Sequence, residues 1–265
     1  MSERPVVLIT GAARRVGREI ALHLAAAGFD IAIHYLHSAH AAQDTAADVR
    51  MAGASAGIEA ATFAADLADE TACRALVPAV VGHFKRLDAI VNNASLFEYD
   101  DLASFSPAAM ERHWRANTAP AILLTQVFHQ VLLSTGRDGC VVNLSDQKLW
   151  NPNPDHFSYT LSKAALEAAT VMMAQACAPR LRVCGVAPGV TLPSGPMSNE
   201  EFAALPRHTP LQRLSTPLDI ARTVRFLLES PAITGTTVLV DGGQHLQAQS
   251  RDVQFLDTGD GANHA

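Results

Sequence analysis

Tyr159 and Lys163 stand four residues apart in the run Tyr159-Thr160-Leu161-Ser162-Lys163. On a helix that spacing puts a phenol and an ammonium on one face. A phenol ionises at a pH of about 10, and a neighbouring cation favours its ionised form. Lys163 is therefore expected to make Tyr159 a better proton donor near neutral pH. Such pairs are common on helix surfaces, so this one gains meaning only from the place of its helix in the fold.

A second candidate lies near the N-terminus. An apolar run, Val6 to Ile9, leads straight into Thr10-Gly11-Ala12-Ala13-Arg14-Arg15-Val16-Gly17, and a helical pattern follows. A glycine turn between a strand and a helix offers backbone N–H groups to a pyrophosphate. Gly11, Arg14, Arg15, Val16 and Gly17 are the expected lining of that site. At the end of the second strand stand His34-Tyr35-Leu36-His37-Ser38, where an NAD-binding fold usually carries an acid for the ribose 2′-hydroxyl. Without that carboxylate a 2′-phosphate is not repelled, and Arg15, His37 and Ser38 offer it partners, with His34 and Tyr35 beside them. The expected cofactor is NADPH. His34, His37 and His40 straddle a strand end and a loop without a carboxylate partner, so no metal site is expected there.

These residues must be positioned by repeating elements. Short β-branched runs alternate with longer Ala- and Leu-rich stretches of helical period: PVVLIT (5–10) then 16–27, IAIHY (31–35) then 38–53, AATFAAD then 69–85, DAIVNNA then 106–134, GCVVNLS then 157–178, RVCGVAPG then 216–229, and TTVLVDGG. Strands separated by such helices require right-handed parallel crossovers. The expected fold is α/β, a Rossmann-type doubly wound seven-stranded parallel sheet with helices on both faces and ligands at the carboxyl ends of its strands. The chain reads as one domain over 1–265, with a substrate loop at about 190–210 and a tail at about 247–265. Tyr159 then opens the helix after the fifth strand, where ligands sit.

Composition agrees. Of 265 residues 48% are hydrophobic and 17% charged, enough to bury a core and too little charge for disorder. A net charge of -6 without a basic run argues against nucleic acid. No signal peptide and no membrane-length apolar run are apparent, so a cytoplasmic protein is expected. Cys73, Cys140, Cys177 and Cys184 have no metal or redox spacing and read as buried small hydrophobes.

Thr10-Gly11 with Gly17, Asn92-Asn93-Ala94 and Tyr159 with Lys163, in this order, resemble the short-chain dehydrogenase/reductase superfamily over residues 5 to about 246. Arg15 departs from its pattern, standing where a glycine is usual. The resemblance implies that Asp66 and Leu67 contact adenine, although an Asp before a helix is also a common cap. It implies that Asn93 and Ala94 border the cofactor, that Lys163 holds the nicotinamide ribose, that Asn117 joins a proton relay, and that Pro188-Gly189 turn over the nicotinamide. Carbonyl reducers of the superfamily carry Ser thirteen residues before the Tyr. Here that position is Asp146, with Ser145 one residue earlier. Neighbouring strand residues face opposite ways, so Ser145 does not replace it and is expected beside the cofactor. A carboxylate is ill-suited to a ketone oxygen becoming an alkoxide, but well suited to a heterocycle with N–H groups to bind and a ring nitrogen to protonate.

TGAARRVG, IAIHYLHS, NNASLF, the Asp thirteen before Tyr and DGGQHL together resemble the pteridine reductases and the bacterial dihydromonapterin reductases, also described as alternative dihydrofolate reductases. That resemblance implies a pterin site lined by Ser95, Phe97, Asp146 and Tyr159, with the ring between Phe97 and the nicotinamide, and a homotetramer paired through 106–134 and 157–178. Two other readings stand beside it: carbonyl reduction, as of a 3-oxoacyl thioester, and a non-catalytic dinucleotide-binding sensor. Intact Asn117, Tyr159 and Lys163 weigh against the sensor, and Asp146 separates the other two.

Overall fold

The computed structural model describes residues 4–193 and 197–256; residues 194–196 of the expected substrate loop and 257–265 of the tail lie outside the described residues. The chain alternates strands and helices: β1 (Val6–Ile9), α1 (Arg15–Ala26), β2 (Asp30–Tyr35), α2 (Ala39–Ala52), β3 (Ala60–Ala64), α3 (Glu70–Phe84) and β4 (Ala89–Asn92). The second half runs α4 (Pro107–His113), α5 (Ala119–Thr135), β5 (Gly139–Leu144), α6 (Phe157–Cys177), β6 (Leu181–Pro188), α7 (Asn199–Ala204), α8 (Pro217–Glu229) and β7 (Thr237–Val240).

All seven strands pair in parallel, in the order β3-β2-β1-β4-β5-β6-β7. Because side chains alternate along a strand, β1 feeds two cores. Val7 and Ile9 join a cluster with α1, α2 and α8, whereas Val6 and Leu8 join one with α3, α5 and α6. All four are fully buried, each contributing about 1.5–3 kcal/mol by leaving water. The order reverses at β1, which lies between β2 and β4. A crevice opens there, at the carboxyl ends of the strands.

The expected single helix over 106–134 is instead two helices joined by a π-helical turn, Trp114–Thr118. Pro120 disfavours helical backbone at the residue before it and lacks an N–H for the helical ladder. The turn carries Asn117. All four cysteines are free and buried. No described helix is long and apolar enough to cross a membrane.

Candidate active site

Two cavities share a wall at the carboxyl edge of the sheet. The first, about 530 Å³, is lined by the turn residues Gly11, Arg14, Arg15, Val16 and Gly17, by His34 and Leu36 after β2, by Asp66 and Leu67 after β3, and by Asn93, Ala94 and Ser95 after β4. The turn is held from below. Thr10 Oγ1 accepts the backbone N–H groups of Asn93 and Ala94 at 2.9 and 3.0 Å, and Asn93 Nδ2 donates to the Thr10 carbonyl at 2.8 Å. Gly11 has φ +64°, favouring glycine, and a Cβ on Gly17 would come within 2.6 Å of both Asn93 Nδ2 and the Gly11 carbonyl. The backbone is thus packed as closely as a dinucleotide turn requires. Arg14 caps α1 without a side-chain bond, and the first turn of α1 holds no acid. These residues fit a pyrophosphate.

His34 is buried beneath the turn, accepting the Gly11 N–H on Nδ1 at 3.1 Å and meeting the Ala65 carbonyl with Nε2 at 3.1 Å. Those partners require a neutral ring protonated on Nε2, and burial holds its pKa below the usual histidine value. His34 is therefore a support of the turn rather than a metal ligand, and no metal-holding group of His, Cys, Asp or Glu occurs among the described residues.

Arg15, standing where glycine is usual, adopts the left-handed φ of 56° that glycine would. Its Nη2 donates to the Pro193 carbonyl at 2.9 Å, and it lines both cavities. Tyr35 packs partly buried on the α1 side of the core, while His37 is exposed and Ser38 sits before α2. None of these three lines the cavity. Leu36, which the sequence reading passed over, does. Asp69 rather than Asp66 caps α3, leaving Asp66 to the cavity rim.

The second cavity, about 310 Å³, is lined by Arg15, Ser95 and Phe97, by Ser145, Asp146, Gln147 and Lys148 after β5, by Tyr159 and Lys163 of α6, and by Pro188 and Gly189 after β6. The Tyr159 hydroxyl donates to Asp146 Oδ2 at 2.7 Å, and the Lys148 backbone N–H donates to Oδ1 at 2.8 Å. Lys163 Nζ donates to the Leu144 carbonyl at 2.8 Å and lies 5.7 Å from the Tyr159 ring centre. Phe97 meets Tyr159 edge-on at 4.7 Å and stacks on His156 at 4.1 Å. Gly189 packs so closely on Asp241 and Gln244 that a Cβ would stand 2.8 Å from Asp241, and Gln244 Oε1 accepts the Val190 N–H at 3.2 Å. The DGGQHL segment thereby fixes the loop after β6.

Burial pushes the Asp146 carboxyl up, against the Lys148 N–H, the Tyr159 hydroxyl and the Lys163 charge. Burial lowers Lys163 to about 8. The expectation that Lys163 makes Tyr159 more acidic is corrected: burial first, then the Asp146 charge and hydrogen bond, push the phenol well above its ordinary value. A carboxylate that accepts the phenol's proton outweighs an ammonium aimed at a backbone carbonyl.

Asn117 is buried, and its amide bonds internally. Oδ1 accepts from Leu96 N at 2.6 Å and Ser95 Oγ at 3.2 Å, while Nδ2 donates to the Leu96 carbonyl and to Ser162 Oγ, both at 3.0 Å. It ties the loop after β4 to α6. Ser145 Oγ is buried with no partner among the described residues, as is Gln147 Oε1. Such atoms in a cavity wall are fitted for a ligand's polar groups. Sequence reasoning missed Gln147, Lys148, Val190 and the C-terminal residues Asp252, Val253 and Gln254, which also line this cavity. They occupy short 3-10 turns and loops without period or motif.

Comparison with known proteins sets this arrangement in context. Residues 11–245 match the family model described as Enoyl-(Acyl carrier protein) reductase. A granaticin polyketide synthase putative ketoacyl reductase 2 from Streptomyces violaceoruber is 32% identical, over 92% of this chain and 97% of its own. A 3-oxoacyl-[acyl-carrier-protein] reductase FabG from Staphylococcus aureus is 31% identical, over 90% and 97%. The solved structure of FolM alternative dihydrofolate reductase 1 from Brucella canis complexed with NADP is similar with a TM-score of 0.84 and 38% identity, covering 94% of this chain and 97% of that one.

Proposed function

The chain belongs to the short-chain dehydrogenase/reductase superfamily and is an oxidoreductase of that type, and from this premise we propose that it uses NADPH to reduce a pterin-type substrate, a dihydropterin or dihydrofolate, to the tetrahydro form. The observation that carries the reading is the Asp146 carboxyl bonded to the Tyr159 hydroxyl in the substrate cavity. The 38% identity to a protein named for dihydrofolate reduction and complexed with NADP supports it.

The cofactor, bound in the larger cavity, would supply the hydride. The glycine turn and the N-terminus of α1 would hold its pyrophosphate, Arg15 its 2′-phosphate, with His37 and Ser38 next along the chain from the lining residue Leu36, and Lys163 its ribose. Asp66, Leu67, Asn93 and Ala94 would border the adenosine and nicotinamide portions, and Ser145, Pro188 and Gly189 the nicotinamide. Asp146, held on Oδ1 by the Lys148 N–H, would bind the N–H edge of the heterocycle and deliver a proton to its ring nitrogen through Oδ2. Burial favours its protonated form, and Tyr159 keeps its own proton available as the donor behind it. Phe97, 40% exposed, offers a ring face to the pterin, and Ser95 a hydroxyl.

Carbonyl reduction is the second reading, supported by the two ketoacyl reductase relatives. Asp146 stands where carbonyl reducers of the superfamily carry Ser, and its carboxyl offers an acceptor oxygen beside its donor, which suits the N–H edge of a heterocycle better than a lone ketone oxygen. NADPH consumption by the purified chain against dihydropterins, dihydrofolate and 3-oxoacyl thioesters tests the choice. Turnover confined to the heterocycles is expected; turnover confined to the thioesters would overturn it. We further infer a homotetramer paired through α5 and α6, where Leu133, Leu161 and Met172 are exposed. Sedimentation showing a monomer would overturn that part.

A further inference from the structure

One wall of the substrate cavity comes from neither the sheet nor its helices. Asp252, Val253 and Gln254 line it, beyond Gln244 of the DGGQHL segment, which lines the same cavity. Val253 is 6% exposed, yet it belongs to neither hydrophobic cluster that holds the fold. Its burial serves the cavity.

A charge cluster around the buried Asp155 and Lys148 anchors this segment. The Asp155 side chain, 2% exposed, accepts Arg251 Nε on both oxygens at 3.0 and 2.9 Å and the Asp252 backbone N–H at 2.7 Å. Lys148, whose backbone grips Asp146, sends its Nζ the other way, to the Asp155 carbonyl at 2.6 Å and to Asp252 Oδ2 at 3.2 Å. Beyond them the Phe255 ring meets Tyr99 at 5.4 Å and lies under the Arg251 guanidinium at 5.1 Å. Taking charges such as Asp155 and Lys148 out of water costs several kcal/mol per ion unless they are paired. Here two acids and two bases pair, and what the pairing fixes is the position of residues 251–255 against the cavity.

We propose that residues 251–255 are a substrate-specificity wall, in which Val253 and Gln254 touch the substrate while Lys148, Asp155, Arg251 and Asp252 are positioning residues. The substrate's identity rests on the pterin reading; the wall does not. Val253 supplies an apolar face for a flat ring, and Gln254 lines the wall beside it.

The test compares the chain ending at Leu256 with one ending at Ser250, alongside the full-length point variants Arg251→Ala and Val253→Ser. Substrate KM is expected to rise about tenfold or more in the shortened chain, the loss of roughly one well-made contact, and by less in the point variants. NADPH affinity, read by fluorescence titration, is expected to stay within about twofold, because none of these residues lines the cofactor cavity. Urea unfolding midpoints identify any variant that fails to fold, and the point variants then carry the test. An unchanged KM, or a loss of NADPH affinity in parallel with the KM change, overturns the wall. If the full-length chain reduces no dihydropterin, the pterin reading has failed, and the same KM rise is then required for the oxo compound it does reduce.

Discussion

The Tyr159 hydroxyl donates to Asp146 Oδ2 at 2.7 Å, so the two residues form one proton-holding unit rather than separate donors. Burial raises the pKa values of both, which favours the protonated form of each. The phenol then passes its proton to the Asp146 carboxyl only as that group gives its own to a substrate.

Tyr159→Phe should then lower turnover by roughly the 10²–10⁴-fold expected on losing a positioned acid, with NADPH affinity nearly intact. Single-turnover kinetics with a bound-cofactor titration measure the two effects separately. Near-full turnover would place the proton donor elsewhere.

Lys163 gives a pH signature. Its folded pKa of about 8, below the ordinary 10.5, means that its ammonium is present below that pH and lost above it. NADPH binding should weaken as pH rises through about 8, and in Lys163→Gln it should be weak and flat across the same range. Stability should move the other way. Between about 8 and 10.5 the unfolded chain binds more protons at this site, so this group's contribution to stability rises with pH there. A pH dependence of NADPH binding that survives in Lys163→Gln would assign it to another group.

Arg15 lines both cavities and reaches the Pro193 carbonyl. Replacing it by Ala should weaken NADPH binding more than NADH binding, by about the 1.5–3 kcal/mol of a charged hydrogen bond. Dissociation constants for the two cofactors decide it, and equal losses would remove Arg15 from the 2′-phosphate site.

The strands and the glycine turn were legible because both are written in neighbouring residues: apolar runs of strand length, then Thr10-Gly11 and Gly17. The proximity of Tyr159 and Lys163 followed from helical spacing alone. The π turn at Trp114–Thr118 was not legible, because the apolar pattern of 106–134 continues through it and only Pro120 marks the break. The internal role of Asn117 was hidden as well, since its partners Leu96 and Ser162 are distant in sequence. The same holds for Lys148 and Asp252, 104 residues apart. Charge pairs across such separations leave no local pattern, and a lone lysine in a loop reads as solvated until the fold buries it. Arg15 shows the converse. Its type was read as a departure from glycine, yet its backbone keeps the glycine conformation.

The most direct measurement is the substrate preference of Asp146→Ser, because the two readings of this site predict opposite signs. Loss of the acid that binds the N–H edge and supports ring protonation should cut dihydropterin turnover by at least about 10²-fold, with little gain on ketones. A competent ketone reductase arising from Asp146→Ser, from a parent that never turned over dihydropterins, would contradict the account.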